Sequence, residues 1–123
     1  MERVDLGYQR RQDEVGVIKG VSACGGLRRG AARLVRSIDD FGKVKPGDIL
    51  VCRSSNVSWI PLFTIAAAVV TDVGGSLSHA AVVAREFGVP AVVGCGVALS
   101  TLRDGQLVEV DGDSGTVRPL DGV

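Results

Sequence analysis

Apolar residues fall into short β-branched runs separated by glycine, with one longer amphipathic stretch in the middle of the chain. Residues 15–18 (Val-Gly-Val-Ile) and 31–35 (Ala-Ala-Arg-Leu-Val) predict strands, joined by a loop of small residues over 20–30. Residues 38–44 predict a short helix. Pro46-Gly47-Asp48 predicts a turn, because proline presets φ and glycine admits positive φ, and the turn delivers an apolar strand over 49–52. Residues 59–65 predict a helix with Pro61 in its first turn, and residues 66–71 a buried strand. The amphipathic stretch comes next. A serine near its start, Gly88 at its stop and Pro90 beyond punctuate a helix that begins beside His79 and ends at Phe87. Residues 92–93 resume a strand and 98–102 predict a short helix. Residues 107–110 with 115–117 predict a closing hairpin through Asp111-Gly112-Asp113. Strands early and late with helices between them predict a mixed α/β domain layered as sheet, sheet and helix.

At 123 residues the chain has room for one compact domain, placed over residues 15–120, behind a polar stretch over 1–14 that reads as a leader or linker remnant. Basic and acidic side chains balance at 14 each, which argues against a protein whose main business is holding a nucleic acid. Aromatic residues are only 4% of the chain, so the core must be built from Val, Ala, Leu and Ile. The three cysteines form no CxxC pair and the N-terminus has no apolar signal region, so a reduced, cytoplasmic protein is expected. The longest charge-poor stretch, 57–70, contains Pro61 and falls short of the roughly 20 apolar residues of a membrane span, so no membrane partner is expected. His79 is the one histidine, which rules out any metal site needing two from this chain.

The densest chemical signal is Gly74-Gly75-Ser76-Leu77-Ser78-His79, a glycine turn running into the amphipathic helix. Such a turn leaves backbone N–H groups unpaired at a helix start, where the dipole adds about half a positive charge and glycines let an anion approach closely. Phosphate is the expected anion, with Gly74, Gly75, Ser76, Ser78 and Thr71 as candidate ligands. An imidazole titrates near 6.5, so its neutral form, with a nucleophilic nitrogen, is accessible at neutral pH. His79 is thus suited either to take a phosphoryl group or simply to cap and pack the helix start, and spacing alone leaves both open. Arg85 lies six residues on and turns away from the same helix face, toward a partner domain or a neighbouring acid. Asp72 either orients His79 or bounds the turn. Cys95, between Gly94 and Gly96, reads as a small buried thiol, with a thiol enzyme as the rival reading.

The run from Thr71 to Gly94, Thr-Asp-Val-Gly-Gly-Ser-Leu-Ser-His-Ala-Ala-Val-Val-Ala-Arg-Glu-Phe-Gly-Val-Pro-Ala-Val-Val-Gly, resembles the signature of the phosphohistidine, or mobile swivelling, domain of phosphoenolpyruvate-utilising enzymes. That family includes pyruvate phosphate dikinase, phosphoenolpyruvate synthase, the first enzyme of the sugar phosphotransferase system and rifampin phosphotransferase. Gly30-Ala31-Ala32-Arg33-Leu34-Val35, Pro46-Gly47-Asp48-Ile49-Leu50-Val51 and Leu102-Arg103-Asp104-Gly105-Gln106 are also similar to it, so the likeness covers residues of about 15–120. One position departs: the stricter family motif has Thr two places before the histidine, where this chain has Leu77, and the lost hydroxyl's role would pass to Ser76, Ser78 or Thr71.

The resemblance implies the swivelling β/β/α fold and makes His79 the transient phosphoryl carrier. It implies two partners, an ATP-grasp nucleotide-binding domain and an acceptor or phosphoenolpyruvate-binding domain, on the same polypeptide or on separate subunits. ATP and Mg²⁺ are implied at the nucleotide partner, and no cofactor is expected on this domain alone. The chain would then be one component of a phosphotransferase, not catalytically complete by itself. The rival reading from the residues is a non-catalytic anion-binding or assembly module that keeps the fold.

Overall fold

A computed structural model describes residues 16–120. The polar stretch over 1–14 and the strand start at Val15 lie outside the described residues. Eight strands form one continuous hydrogen-bonded array: β1 (Ile18–Lys19), β2 (Val21–Cys24), β3 (Leu27–Val35), β4 (Ile49–Cys52), β5 (Ala68–Thr71), β6 (Ala91–Val93), β7 (Leu107–Asp111) and β8 (Thr116–Pro119). Their spatial order is β1-β8-β7-β3-β4-β5-β6-β2.

The long strand β3 belongs to two sheets. Its first half pairs antiparallel with β7, from Leu27↔Asp111 to Ala31↔Leu107, and its second half pairs parallel with β4, from Ala32↔Ile49 to Val35↔Cys52. One sheet is therefore antiparallel (β1, β8, β7 and the start of β3), and the other is parallel through β3, β4, β5 and β6, with β2 added antiparallel at its far edge.

Alternation along the central strands produces three layers. Ile49, Val51, Ala68 and Val70 pack in one apolar cluster with Val108, Val110 and Val117 of the antiparallel sheet. Their neighbours Leu50, Cys52 and Val69 pack in another with Ala80, Ala81, Val83 and Ala84 of the main helix. Strands covered on both faces read as unbroken apolar runs, and this is why residues 49–52 show no polar alternation. The expected order of sheet, sheet and helix is the one found.

The helices are α1 (Ile60–Phe63), α2 (His79–Phe87) and α3 (Ala98–Thr101). Three expected elements are found in another form. Residues 20–30 are not one loop: they hold β2 and the beginning of β3. The four residues Val-Ser-Ala-Cys of β2 have too little pattern to declare a strand, and their order comes from pairing with β6, far along the chain. The helix expected over 59–65 is divided into a 3-10 turn, Val57–Trp59, capped by the Asn56 side chain, and the short α1, with Pro61 in its first turn. Residues 38–43 likewise form a 3-10 turn, capped by Ser37. Among the described residues no helix is long and apolar enough to cross a membrane.

Candidate phosphoryl-transfer site

Strands β4, β5 and β6 run parallel, so their carboxyl ends lie along one edge of the sheet, the edge at which open α/β sheets bind ligands. The turn after β5 brings His79 there as the first residue of α2. Ser78 is the N-cap: its Oγ accepts from the Ala81 N–H at 3.4 Å and donates to the Gly75 carbonyl at 2.8 Å, while its own N–H reaches that carbonyl at 3.0 Å. The turn is thus closed by its own hydrogen bonds before anything binds.

Two glycines shape this turn. Gly74 has φ +122°, and a Cβ there would lie 2.8 Å from the Cβ of Ser78. Gly94, after β6, has φ +70°, and a Cβ there would lie 2.7 Å from the Gly74 carbonyl oxygen, a backbone atom that cannot swing aside. A Gly94→Ala substitution is therefore expected to destabilise the fold by about 1–2 kcal/mol from the backbone conformation alone. The clash would also push the histidine turn outward. A lowered urea midpoint together with displaced amide resonances over 73–79 would check this; an unchanged midpoint would contradict the packing described.

The imidazole of His79 is half-buried and held on two sides. Its Nδ1 lies 2.9 Å from the Ser55 hydroxyl, on the loop after β4, and its ring meets Phe63 of α1 edge-on, with centroids 6.4 Å apart and planes at 85°. Ser55 is the functional neighbour that sequence reasoning missed. It sits in the polar run Arg53-Ser54-Ser55-Asn56, which reads only as a loop. The available signal was its place directly after a buried strand parallel to the one that leads into the histidine turn.

The other candidates divide. Gly75 and Ser76 are exposed on the turn, and Leu77 is the most exposed large apolar side chain described, at 88%. Thr71 is fully buried and its hydroxyl donates to the Val73 carbonyl, so it is not presented at the surface. Asp72 directs both carboxylate oxygens to another helix, accepting from the N–H groups of Ala98 (2.7 Å) and Leu99 (3.1 Å) at the start of α3. It braces the loops after β5 and β6, and the hydrogen-bond partner of the imidazole is Ser55. Arg85 is exposed on α2, with its Nε donating to the Ala23 carbonyl of β2 at 2.8 Å, which ties the helix to the edge of the sheet.

Residues 44–115, more than half of the chain, match the family described as "PEP-utilising enzyme, mobile domain". The chain belongs to that family. It is 55% identical over 103 residues to chondramide synthase cmdD of Chondromyces crocatus, covering 84% of this chain and 3% of that protein. It is 43% identical over 102 residues to the phosphoenolpyruvate synthase of Aeropyrum pernix, covering 82% of this chain and 12% of the synthase. A solution structure of Enzyme I superposes with a TM-score of 0.53 and 36% identity, over 60% of this chain and 31% of that one. The mobile domain thus spans a small part of the curated relatives it matches, among them the synthase and a phosphotransferase of Bacillus subtilis.

Cys52 and Cys95 of this mobile domain do not supply a rival centre. Burial, reinforced by the nearby Asp72 carboxylate, pushes both Cys52 and Cys95 up to about 12. A thiol held protonated at neutral pH is a poor nucleophile, so the thiol-enzyme reading is not supported. Iodoacetamide at pH 7.5 is expected to leave Cys52 and Cys95 unmodified in the folded protein and to modify both in denaturant, as read by mass spectrometry. Fast modification of folded Cys95 would reverse this. The described residues contain no group of three or more His, Cys, Asp or Glu side chains that could hold a metal ion.

Proposed function

We propose that this mobile domain is a phosphoryl carrier in which Nε2 of His79 takes a phosphoryl group from a nucleotide site on one partner domain and yields it to an acceptor site on another. The observation that carries the reading is the 2.9 Å contact between Nδ1 and the Ser55 hydroxyl. An Nδ1–H donated to Ser55 leaves the lone pair on Nε2, the other ring nitrogen. That lone pair attacks phosphorus as the bond to the leaving oxygen breaks, and the imidazole keeps its Nδ1 proton throughout. The capped start of α2 adds the partial positive charge of its unpaired N–H groups beside the incoming phosphate.

Residues offered by the turn for the phosphate are its backbone N–H groups with Gly74, Gly75 and Ser76. Ser78 serves chiefly as the cap. In this reading nucleotide, Mg²⁺ and acceptor are bound by partner domains of the ATP-grasp and phosphoenolpyruvate-binding kinds, in the same polypeptide or on separate subunits. A cytoplasmic setting, where ATP is available, goes with this reading.

The test is mass spectrometry under alkaline conditions, which preserve a phosphoramidate bond. After incubation with Mg²⁺, ATP and an ATP-grasp partner shown to be active on a control carrier, one phosphate is expected, on His79. Its absence would favour the anion-binding module instead.

A further inference from the structure

Asp72 stands where three loops meet, at the opening of the histidine turn. Its N–H donates to the Cys52 carbonyl at 3.1 Å, its carbonyl accepts from Gly96 at 3.1 Å, and its carboxylate accepts from Ala98 and Leu99. Val97, the residue before α3, supplies no side-chain cap, so Asp72 caps that helix from the neighbouring loop. Residues 94–99 are thereby held against the histidine turn, and they bring Gly94 with them. The place of a Cβ on Gly94 lies 2.7 Å from the Gly74 oxygen and 3.9 Å from its carbonyl carbon. The difference matches the C=O length of about 1.23 Å, so the carbonyl is aimed at Gly94. In a trans peptide the N–H opposes the carbonyl, so the Gly75 N–H points away from that loop, and Gly75 itself is exposed. This N–H donates to no group among the described residues. Both residues of the peptide unit are glycine, so no Cβ hinders its turning over.

We infer that Asp72 is a positioning residue for phosphorylation of His79. By tying the loop after β6 to the histidine turn, it keeps the Gly74–Gly75 peptide set with its N–H outward, as a donor to the phosphoryl group in transfer. The inference rests on the carrier reading of His79. The imidazole has its hydrogen-bond partner in Ser55, so Asp72 acts through the peptide and not on the ring. Turned over, the same peptide would offer its oxygen to an anion, replacing attraction with repulsion. A preorganised N–H matters most where negative charge develops, and losing one such donor typically slows a reaction by about 10²–10³-fold. Gly94 packed against the Gly74 oxygen opposes that turnover, and the Asp72 carboxylate holds Gly94's loop in place.

The experiment uses the full 123-residue chain and potassium phosphoramidate, a small donor that needs no partner domain. The Nε2–P bond forms as the P–N bond of the donor breaks and ammonia leaves. Asp72→Ala is expected to slow labelling of His79 by about tenfold or more and to lower the urea midpoint. Asp72→Asn, with one accepting oxygen in place of two, is expected to fold and to label at an intermediate rate. Adding Val97→Asp to Asp72→Ala gives α3 a cap of its own, so the midpoint should rise while labelling stays slow, because the new cap does not reach the histidine turn. Val108→Ala, which opens a cavity under the antiparallel sheet, should lower the midpoint and label at the full rate. Wild-type labelling in both Asp72→Ala and Asp72→Asn would overturn the positioning role, as would a rate that follows the midpoint through all these variants. If the unaltered chain is labelled on His79 neither by phosphoramidate nor by Mg²⁺, ATP and an active ATP-grasp partner, the carrier reading beneath it falls instead.

Discussion

Replacing His79 with Ala is expected to abolish acid-labile, alkali-stable labelling of this domain, reducing phosphate incorporation from an active ATP-grasp partner to background. No lesser effect is expected, because no other residue can take over. His79 is the one histidine in the chain, so no second imidazole exists to form the same bond. Cys95 and Cys52 are held as thiols by burial, and the hydroxyl of Ser78 is engaged with the Gly75 carbonyl. The substitution is mild for the fold, since Ala is a good helix former at the first position of α2 and the Ser78 cap remains. An unchanged urea midpoint alongside lost labelling would locate the effect in the chemistry. Persistent stoichiometric phosphate in His79→Ala would end the proposal.

Ser55→Ala produces the second largest effect, and of a different kind. The nucleophile remains, but Nδ1 loses its partner at 2.9 Å, and with it the preference for the tautomer and ring setting that offer Nε2. Loss of an orienting partner of this type typically slows chemistry by about 10–100-fold. Ser55→Thr keeps a hydroxyl and should restore most of the rate. Ser55 acts through His79, so the decisive readout is where the phosphate attaches. With phosphoramidate as donor, nitrogen and phosphorus NMR of the unaltered chain should show the Nε2 adduct, and Ser55→Ala should admit a fraction at Nδ1. If Ser55→Ala retains both the full rate and pure Nε2 attachment, the serine has no positioning role.

The two substitutions sit on opposite sides of what could be read from residues in order. The turn from Gly74 through His79, the capped helix behind it and its stop at Gly88 are contiguous, and local rules for caps and glycine turns apply to them directly. The strands over 49–52 and 68–71 were legible for a related reason: burial on both faces leaves a short run apolar, with Thr71 as the one polar residue in the two. Where the signal was spread over distance it failed. β2 is four residues that gain their order from β6, and Asp72, next to the glycine turn in sequence, proves to cap α3 through Ala98 and Leu99. Thr71 lies in the same contiguous motif as His79, yet its place at the end of a strand covered on both faces turns its hydroxyl inward to the Val73 carbonyl.

By itself, then, the sequence determined the layered β/β/α class and the family, with the one histidine set at the start of the capped helix, because periodicity, capping and a run of more than twenty motif positions are properties of neighbours along the chain. Tertiary structure alone decided which side chains meet the imidazole, Ser55 at Nδ1 and Phe63 at the ring edge. Ser55 comes to His79 only because β4 and β5 are adjacent and parallel, and parallel pairing carries the carboxyl ends of β3, β4, β5 and β6 to one edge. These relations are set by strand pairing across long separations, which no local pattern encodes.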